Sequence, residues 1–127
     1  MLGLVDNKKV VIVGIPGVGK TSLVTKLVEL ITQQNKTVGV HSFGTVMLEE
    51  AMKNGIKDRD ELRTLPIEKQ QELQKIAAED ISNMEDDVIL IDTHAFISTK
   101  SGFYPGLPNY VIQIMQPTNF IAITASP

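Results

Sequence analysis

The sequence contains no cysteine, which excludes a disulfide framework and any zinc site built on thiolates. No apolar run approaches the ~18–20 residues that a membrane-spanning helix needs, so no membrane partner is expected. The first residues, "MLGLVDNKKVVIV", lack a signal-peptide cleavage pattern, and Lys8 and Lys9 stand directly before an apolar run. A cytoplasmic location is the expectation. Positive charge is also in short supply. Twelve Lys and Arg stand against 15 Asp and Glu, for a net charge of −3, and this mild acidity argues against general nucleic-acid binding. No internal repeat or low-complexity tract is visible. What remains is 127 residues, 43% of them hydrophobic, enough for one soluble domain with its own core. A homo-oligomer stays open as a partner.

Apolar runs alternate with helical patterns along the chain. Lys9–Val13 reads as a strand buried on both faces. Gly19 to about Gln34 reads as a helix with Leu23, Leu27, Leu30 and Ile31 on one side, ended by Asn35 and Lys36. Thr37–Ser42 is a second strand, followed by a short helix over about Thr45–Asn54 that Gly55 stops. Asp58 suits the N-cap of Arg59–Thr64, and Pro66 suits the first turn of a longer helix to about Met84. "DDVILID" (Asp86–Asp92) contains a third strand. "THAFISTKSGFYPG" reads as a long irregular segment. A helix from Pro108 to about Met115 and a strand over Asn119–Thr124 complete the series. Such alternation predicts an α/β fold, a parallel sheet with helices on both faces.

Between the first strand and the first helix lies "GIPGVGKT", Gly14 to Thr21, with the spacing G-x-x-x-x-G-K-T of a phosphate-binding loop. Gly14, Gly17 and Gly19 let the backbone curl and aim its N–H groups inward. The helix that follows adds the positive end of its dipole. Lys20 can reach β- and γ-phosphates, and the Thr21 hydroxyl can ligate a Mg²⁺ ion that bridges them. Asp92 supplies the other half. It closes the apolar run "VILI" at the carboxyl end of a strand, the edge where open α/β sheets bind ligands, and a carboxylate there can hold Mg²⁺ directly or through water. Unpaired with the loop, it would read equally well as a strand-end residue capping a turn. His94, two residues on, could contact a phosphate, orient Asp92 or serve only the fold.

The chain has two arginines, Arg59 and Arg63, four residues apart and so on one helix face. With Asp58, Asp60 and Glu61 around them, they form either a solvated charged face or a fork for a second anionic group. On the longer helix, Leu73, Ala77, Ile81 and Met84 form one apolar stripe, and Gln70 falls near its middle. An inward amide can read the edge of a base; alternatively, the first turn lies beyond the core and Gln70 meets solvent.

"GIPGVGKT", "FGTVMLEEA", "KDRDELRTL", "EKQQELQKIAAEDI", "LIDTHAFISTKSG" and "YPGLPNYVI" together resemble the archaeal type of adenylate kinase, in order and over nearly the whole chain. The phosphate loop is widely shared, whereas "KDRDE-R-L", "DTHA" and "PGLP-YV" are more specific. The resemblance implies a P-loop NTPase core with strand order 2-3-1-4-5 and the reaction Mg·ATP + AMP ⇌ 2 ADP. It implies a single unit over residues 1–127, in which 38–84 is the monophosphate-binding flap with its flanks. ATP would be held by Gly14, Ile15, Pro16, Gly17, Val18, Gly19, Lys20, Thr21 and Ser22. AMP would meet Gly44, Thr45, Arg59, Arg63, Gln70, Gly106, Leu107 and Pro108. Lys20, Arg59 and Arg63 would be the catalytic cations, with Mg²⁺ on Thr21 and Asp92.

Two departures bear on this. Where the family has an Arg or Lys soon after "DTHA", this chain has Ser98, with Lys100 the nearby cation. The family also continues past the point matching "FIAITASP" with an arginine-rich lid, a further strand and a closing helix, so the sequence resembles a truncated form that keeps phosphate binding better than turnover. A kinase of another nucleoside monophosphate is the near rival. A nucleotide-binding module without turnover is the more distant one. Against a guanine-nucleotide switch, there is no N-K-x-D motif, and "DTHA" lacks the glycine of D-x-x-G.

Overall fold

A computed structural model describes residues 7–14, 19–93, 96–99, 102–105 and 107–123. In chain order the elements are β1 (Lys8–Gly14), α1 (Lys20–Gln33), β2 (Val38–Ser42), α2 (Phe43–Lys53), α3 (Arg59–Arg63), α4 (Ile67–Ser82), β3 (Val88–Thr93), β4 (Phe96–Thr99), β5 (Gly102–Pro105), α5 (Asn109–Met115) and β6 (Asn119–Ile123). Four strands form a parallel sheet in the order β2-β3-β1-β6. That is the expected 2-3-1-4 arrangement, with β6 as the fourth strand. No helix among the described residues is long and apolar enough to cross a membrane.

Strand alternation decides which residues meet. In β1 and β3, Val11 pairs with Ile91 and Lys9 with Ile89, so these side chains share one face. That face meets Phe43 and Val46 of α2, Ala77, Ala78 and Ile81 of α4, and Val111 and Met115 of α5. Each large side chain fully buried there contributes roughly 1.5–3 kcal/mol of transfer free energy. The opposite face carries Ile12 and Leu90, 0% and 1% exposed. Both faces of β1 are thus buried, as its unbroken apolar run requires. In α1 the half-buried residues are Leu23, Val24, Leu27, Val28 and Ile31, while Leu30 is 44% exposed. The spacing groups Leu30 with Leu23, Leu27 and Ile31 on one side. At 100° per residue, including Val24 and Val28 turns the centre of the stripe away from Leu30.

A second apolar cluster of Ala51, Leu62 and Leu73, flanked by Met47, Leu48, Ile56 and Leu65, joins α2, α3 and α4. Local signals behave as chemistry dictates. Asp58 caps α3, its Oδ1 accepting from the Glu61 N–H at 2.9 Å. The turns after α1 and α2 pass through left-handed backbone at Asn35 (φ 60°) and Gly55 (φ 92°). The segment read as irregular instead holds a hairpin. β4 and β5 pair antiparallel, from Phe96 with Pro105 to Thr99 with Gly102. Phe96, Ile97, Thr99, Phe103 and Tyr104 are aromatic or β-branched, and four residues per strand are too few for alternation to reveal them beforehand.

α2 and α4 also meet through a carboxyl pair, Glu50 and Asp80, with Lys53 Nζ 3.0 Å from Glu50 Oε1. The hydrogen bond to Glu50, and then burial, push Asp80 up to about 6. The same bond and Lys53 hold Glu50 below its ordinary range. Asp80 therefore favours the fold when protonated, and this is lost as pH rises through about 6. Glu50 favours the fold when ionised, and this is lost as pH falls. The pair stabilises most between the two titrations. Asp80→Asn keeps a donor but removes the upper titration, so its melting temperature should fall less than the wild type's between about pH 5 and pH 7.5. Identical melting profiles for the two proteins over that range would contradict the shared proton.

Candidate functional site

Lys20 is the first residue of α1, and Gly19 before it occupies the left-handed region at φ 88°, where a Cβ would be strained. The first turn of α1 thus begins abruptly at the carboxyl end of β1. Gly14, the last residue of β1, leaves room for the lysine stem: a Cβ there would lie 3.2 Å from Lys20 Cδ and 3.1 Å from the Ile123 carbonyl oxygen. The stem is covered, and the lysine side chain is only 9% exposed.

Register brings Asp92 to the same place. Ile12 pairs with Asp92, so Asp92 lies on the same face of the sheet as Ile12 and Leu90. Lys20 Nζ stands 2.6 Å from Asp92 Oδ1 and donates to the Thr93 carbonyl at 3.3 Å. Asp92 Oδ1 is buried without hydrogen-bond geometry to any donor among the described residues, so the contact with Lys20 is one of charge at short range. The carboxylate keeps 38% of its surface open. Thr21 and Ser22 are exposed in the first turn of α1. The exposed part of the Asp92 carboxylate and the exposed Thr21 hydroxyl offer hard oxygen donors, the kind that Mg²⁺ prefers. The residues fit such an ion. Ile15, Pro16, Gly17 and Val18 of the loop lie outside the described residues, as do His94, Lys100 and Gly106. Ser98 falls on β4.

The arginines diverge. Arg59 reaches over the first turn of α2, its Nη2 donating to Thr45 Oγ1 at 2.9 Å. Its Nη1 lies 3.1 Å from where a side-chain carbon on Gly44 would sit. Gly44, Thr45 and Arg59 therefore form one group at the N-terminal end of α2. Arg63 points to solvent with 74% of its side chain exposed, 3.8 Å from Asp60. Gln70 is half-buried and folds back on the connection before α4: Nε2 donates to the Leu65 carbonyl at 2.8 Å and the Arg63 carbonyl at 3.2 Å. Its amide closes the α3–α4 connection and leaves Oε1 as its remaining polar atom. Leu107 packs on the sheet core and Pro108 is the N-cap of α5.

Two contacts at the site had no sequence signal. The Thr93 carbonyl that accepts from Lys20 is a backbone group. Gln74, which accepts from the Tyr110 hydroxyl across α4 and α5, is one of several glutamines in "KQQELQK".

Comparison with known proteins finds relatives over most of the chain. The adenylate kinase of Sulfurisphaera tokodaii is 43% identical over 122 residues, covering 92% of this chain and 63% of the relative. That of Saccharolobus solfataricus is 43% identical over 123 residues, with the same coverage. The adenylate kinase of Methanocaldococcus jannaschii is 40% identical over 121 residues, covering 94% and 63%. The chain thus spans 63% of the length of these curated relatives. A solved structure titled "Crystal structure of APE1195" superposes with TM-score 0.54 at 21% identity, over 97% of this chain and 62% of the other, and shares the fold. A family profile described as an AAA domain matches residues 13–127, from the end of β1 onward. By that match, this chain belongs to the AAA domain family.

Proposed function

We propose that the chain is the nucleotide-binding core of an adenylate kinase, a phosphotransferase that converts Mg·ATP and AMP reversibly into two ADP. The observation that carries this reading is the convergence of Lys20 and Asp92 at the carboxyl edge of β1 and β3, 2.6 Å apart, beneath the start of α1. The adenylate-kinase names of the relatives support the choice of reaction. ATP would lie along Gly14–Ser22 with its β- and γ-phosphates at Lys20. Thr21 and Asp92 would hold Mg²⁺, which when bound neutralises charge on the phosphates. In the transfer, an AMP phosphate oxygen attacks the γ-phosphorus, and the bond to the β,γ-bridging oxygen breaks.

The acceptor would lie between the α2–α3–α4 region and the Leu107–Pro108 turn. Arg59 and Thr45, already joined at 2.9 Å beside Gly44, would take its phosphate. Arg63 stands one turn further along α3, and Gly106 adjoins Leu107 in sequence. Residues 38–84 would move as the flap and its flanks within a single unit. A cytoplasmic location accords with this metabolite chemistry. A second reading, a kinase for another nucleoside monophosphate, is favoured by the Gln70 amide, whose NH₂ group is committed to backbone carbonyls and leaves only Oε1 to meet a base.

Titration of ATP with and without Mg²⁺ tests the metal assignment. Asp92→Asn keeps the shape and removes the charge that holds Lys20. Metal-free ATP should bind at least as well as to the wild type, while the gain in affinity from Mg²⁺ should shrink by roughly tenfold. Equal losses in both titrations would return Asp92 to a purely structural role.

A further inference from the structure

The glutamines of α4 form a row that links both sides of the proposed acceptor cleft. Gln70 and Gln74 are four residues apart and share a face. At one end Gln70 holds the carbonyl of Arg63, the last residue of α3, and that of Leu65. At the other, Gln74 Oε1 accepts from the Tyr110 hydroxyl. Tyr110 is the second residue of α5, directly after the Leu107–Pro108 turn. Its ring lies 5.5 Å from Lys75 Nζ and packs against the sheet core, as does Leu107. Burial pushes the Tyr110 phenol up, so its hydroxyl keeps its proton at neutral pH and remains a donor.

Apolar contacts between α4 and α5 hold the helices together without fixing their register, because burial is not directional. A hydrogen bond is directional. We infer that Gln74 and Tyr110 are positioning residues for the acceptor: with Gln70, they set the separation between the Leu107–Pro108 turn and the arginine helix α3. This rests on the reading that AMP lies between those two elements. A cleft held at its bound width loses less entropy when ligand arrives, and so binds more tightly.

The test titrates the chain with AMP and with ATP separately. Tyr110→Phe removes the donor and keeps the ring beneath Lys75. Gln74→Leu removes the acceptor, and Gln74→Glu restores one. Tyr110→Phe and Gln74→Leu should each bind AMP about three- to tenfold more weakly, the equivalent of one hydrogen bond, with ATP affinity held within about twofold. Gln74→Glu should recover most of the AMP affinity. Unchanged AMP affinity in both deletion variants would overturn the inference. Parallel losses of ATP and AMP would overturn it as well, since they report general loosening. If the unaltered chain fails to bind AMP at all, the adenylate-kinase reading falls together with it.

Discussion

Lys20→Ala should abolish the thermal stabilisation that ATP confers, while leaving the fold intact. A ligand that binds only the folded state stabilises it by RT ln(1 + [L]/Kd), about 2.7 kcal/mol when ligand is at 100 times Kd. The lysine is the one side chain from the described part of the loop that lies buried at the sheet edge with its charge facing Asp92. Losing it removes the cation expected at the β- and γ-phosphates. The fold should persist, because Asp92 keeps 38% of its surface in water and does not become a fully buried lone charge. Circular dichroism of the variant without nucleotide checks that point. Unchanged ATP affinity in a folded Lys20→Ala protein would sink the phosphate-loop assignment, whatever the reaction.

Arg59→Ala should be the second large effect, confined to the acceptor. A charge-assisted contact contributes roughly 1.5–3 kcal/mol, so AMP binding should weaken about 10- to 150-fold while ATP affinity stays within about threefold. Arg63→Ala should cost AMP much less, because that guanidinium is mostly solvated and faces Asp60. Isothermal titration with each nucleotide separates the two arginines. Normal AMP binding by both variants would make the pair a charged surface and nothing more. An equal, large loss in each would mean that Arg63 swings inward when ligand binds, against the difference seen without it.

The elements that were legible in the sequence are those encoded by local pattern. The apolar run Lys9–Val13, the cap at Asp58, the turn at Gly55 and the stripe Leu73–Ala77–Ile81 each act over a few residues, and each stands where the pattern puts it. That the loop lysine and Asp92 stand at the same sheet edge was legible too, since both motifs have a fixed place there, but their direct ion pair was not. Contacts set by what lies opposite were not. Spacing puts Arg59 and Arg63 on one helix face, yet only Arg59 finds the first turn of α2 within reach. The pattern left Gln70 either inward or in solvent; it is half-buried, and its partners are carbonyls of the preceding turn, which no side-chain pattern records. The β4–β5 hairpin escaped because its strands are short and their pairing is antiparallel, outside the strand–helix alternation that revealed the rest.

The two apolar clusters have a dynamic consequence. Ala51, Leu62 and Leu73 form a cluster apart from the one built on Ile89 and Ile91, so the segment bearing Arg59 has a small adhesive centre of its own. Such a segment can open as a cooperative unit at a free-energy cost well below that of global unfolding, because parting its small cluster exposes less apolar surface than parting the sheet core. Motions of this kind run on the microsecond-to-millisecond scale, where enzyme turnover commonly lies. Met47 packs against both clusters. Its unbranched, polarizable side chain can refill the gap as the parts separate, so the joint yields without leaving a void.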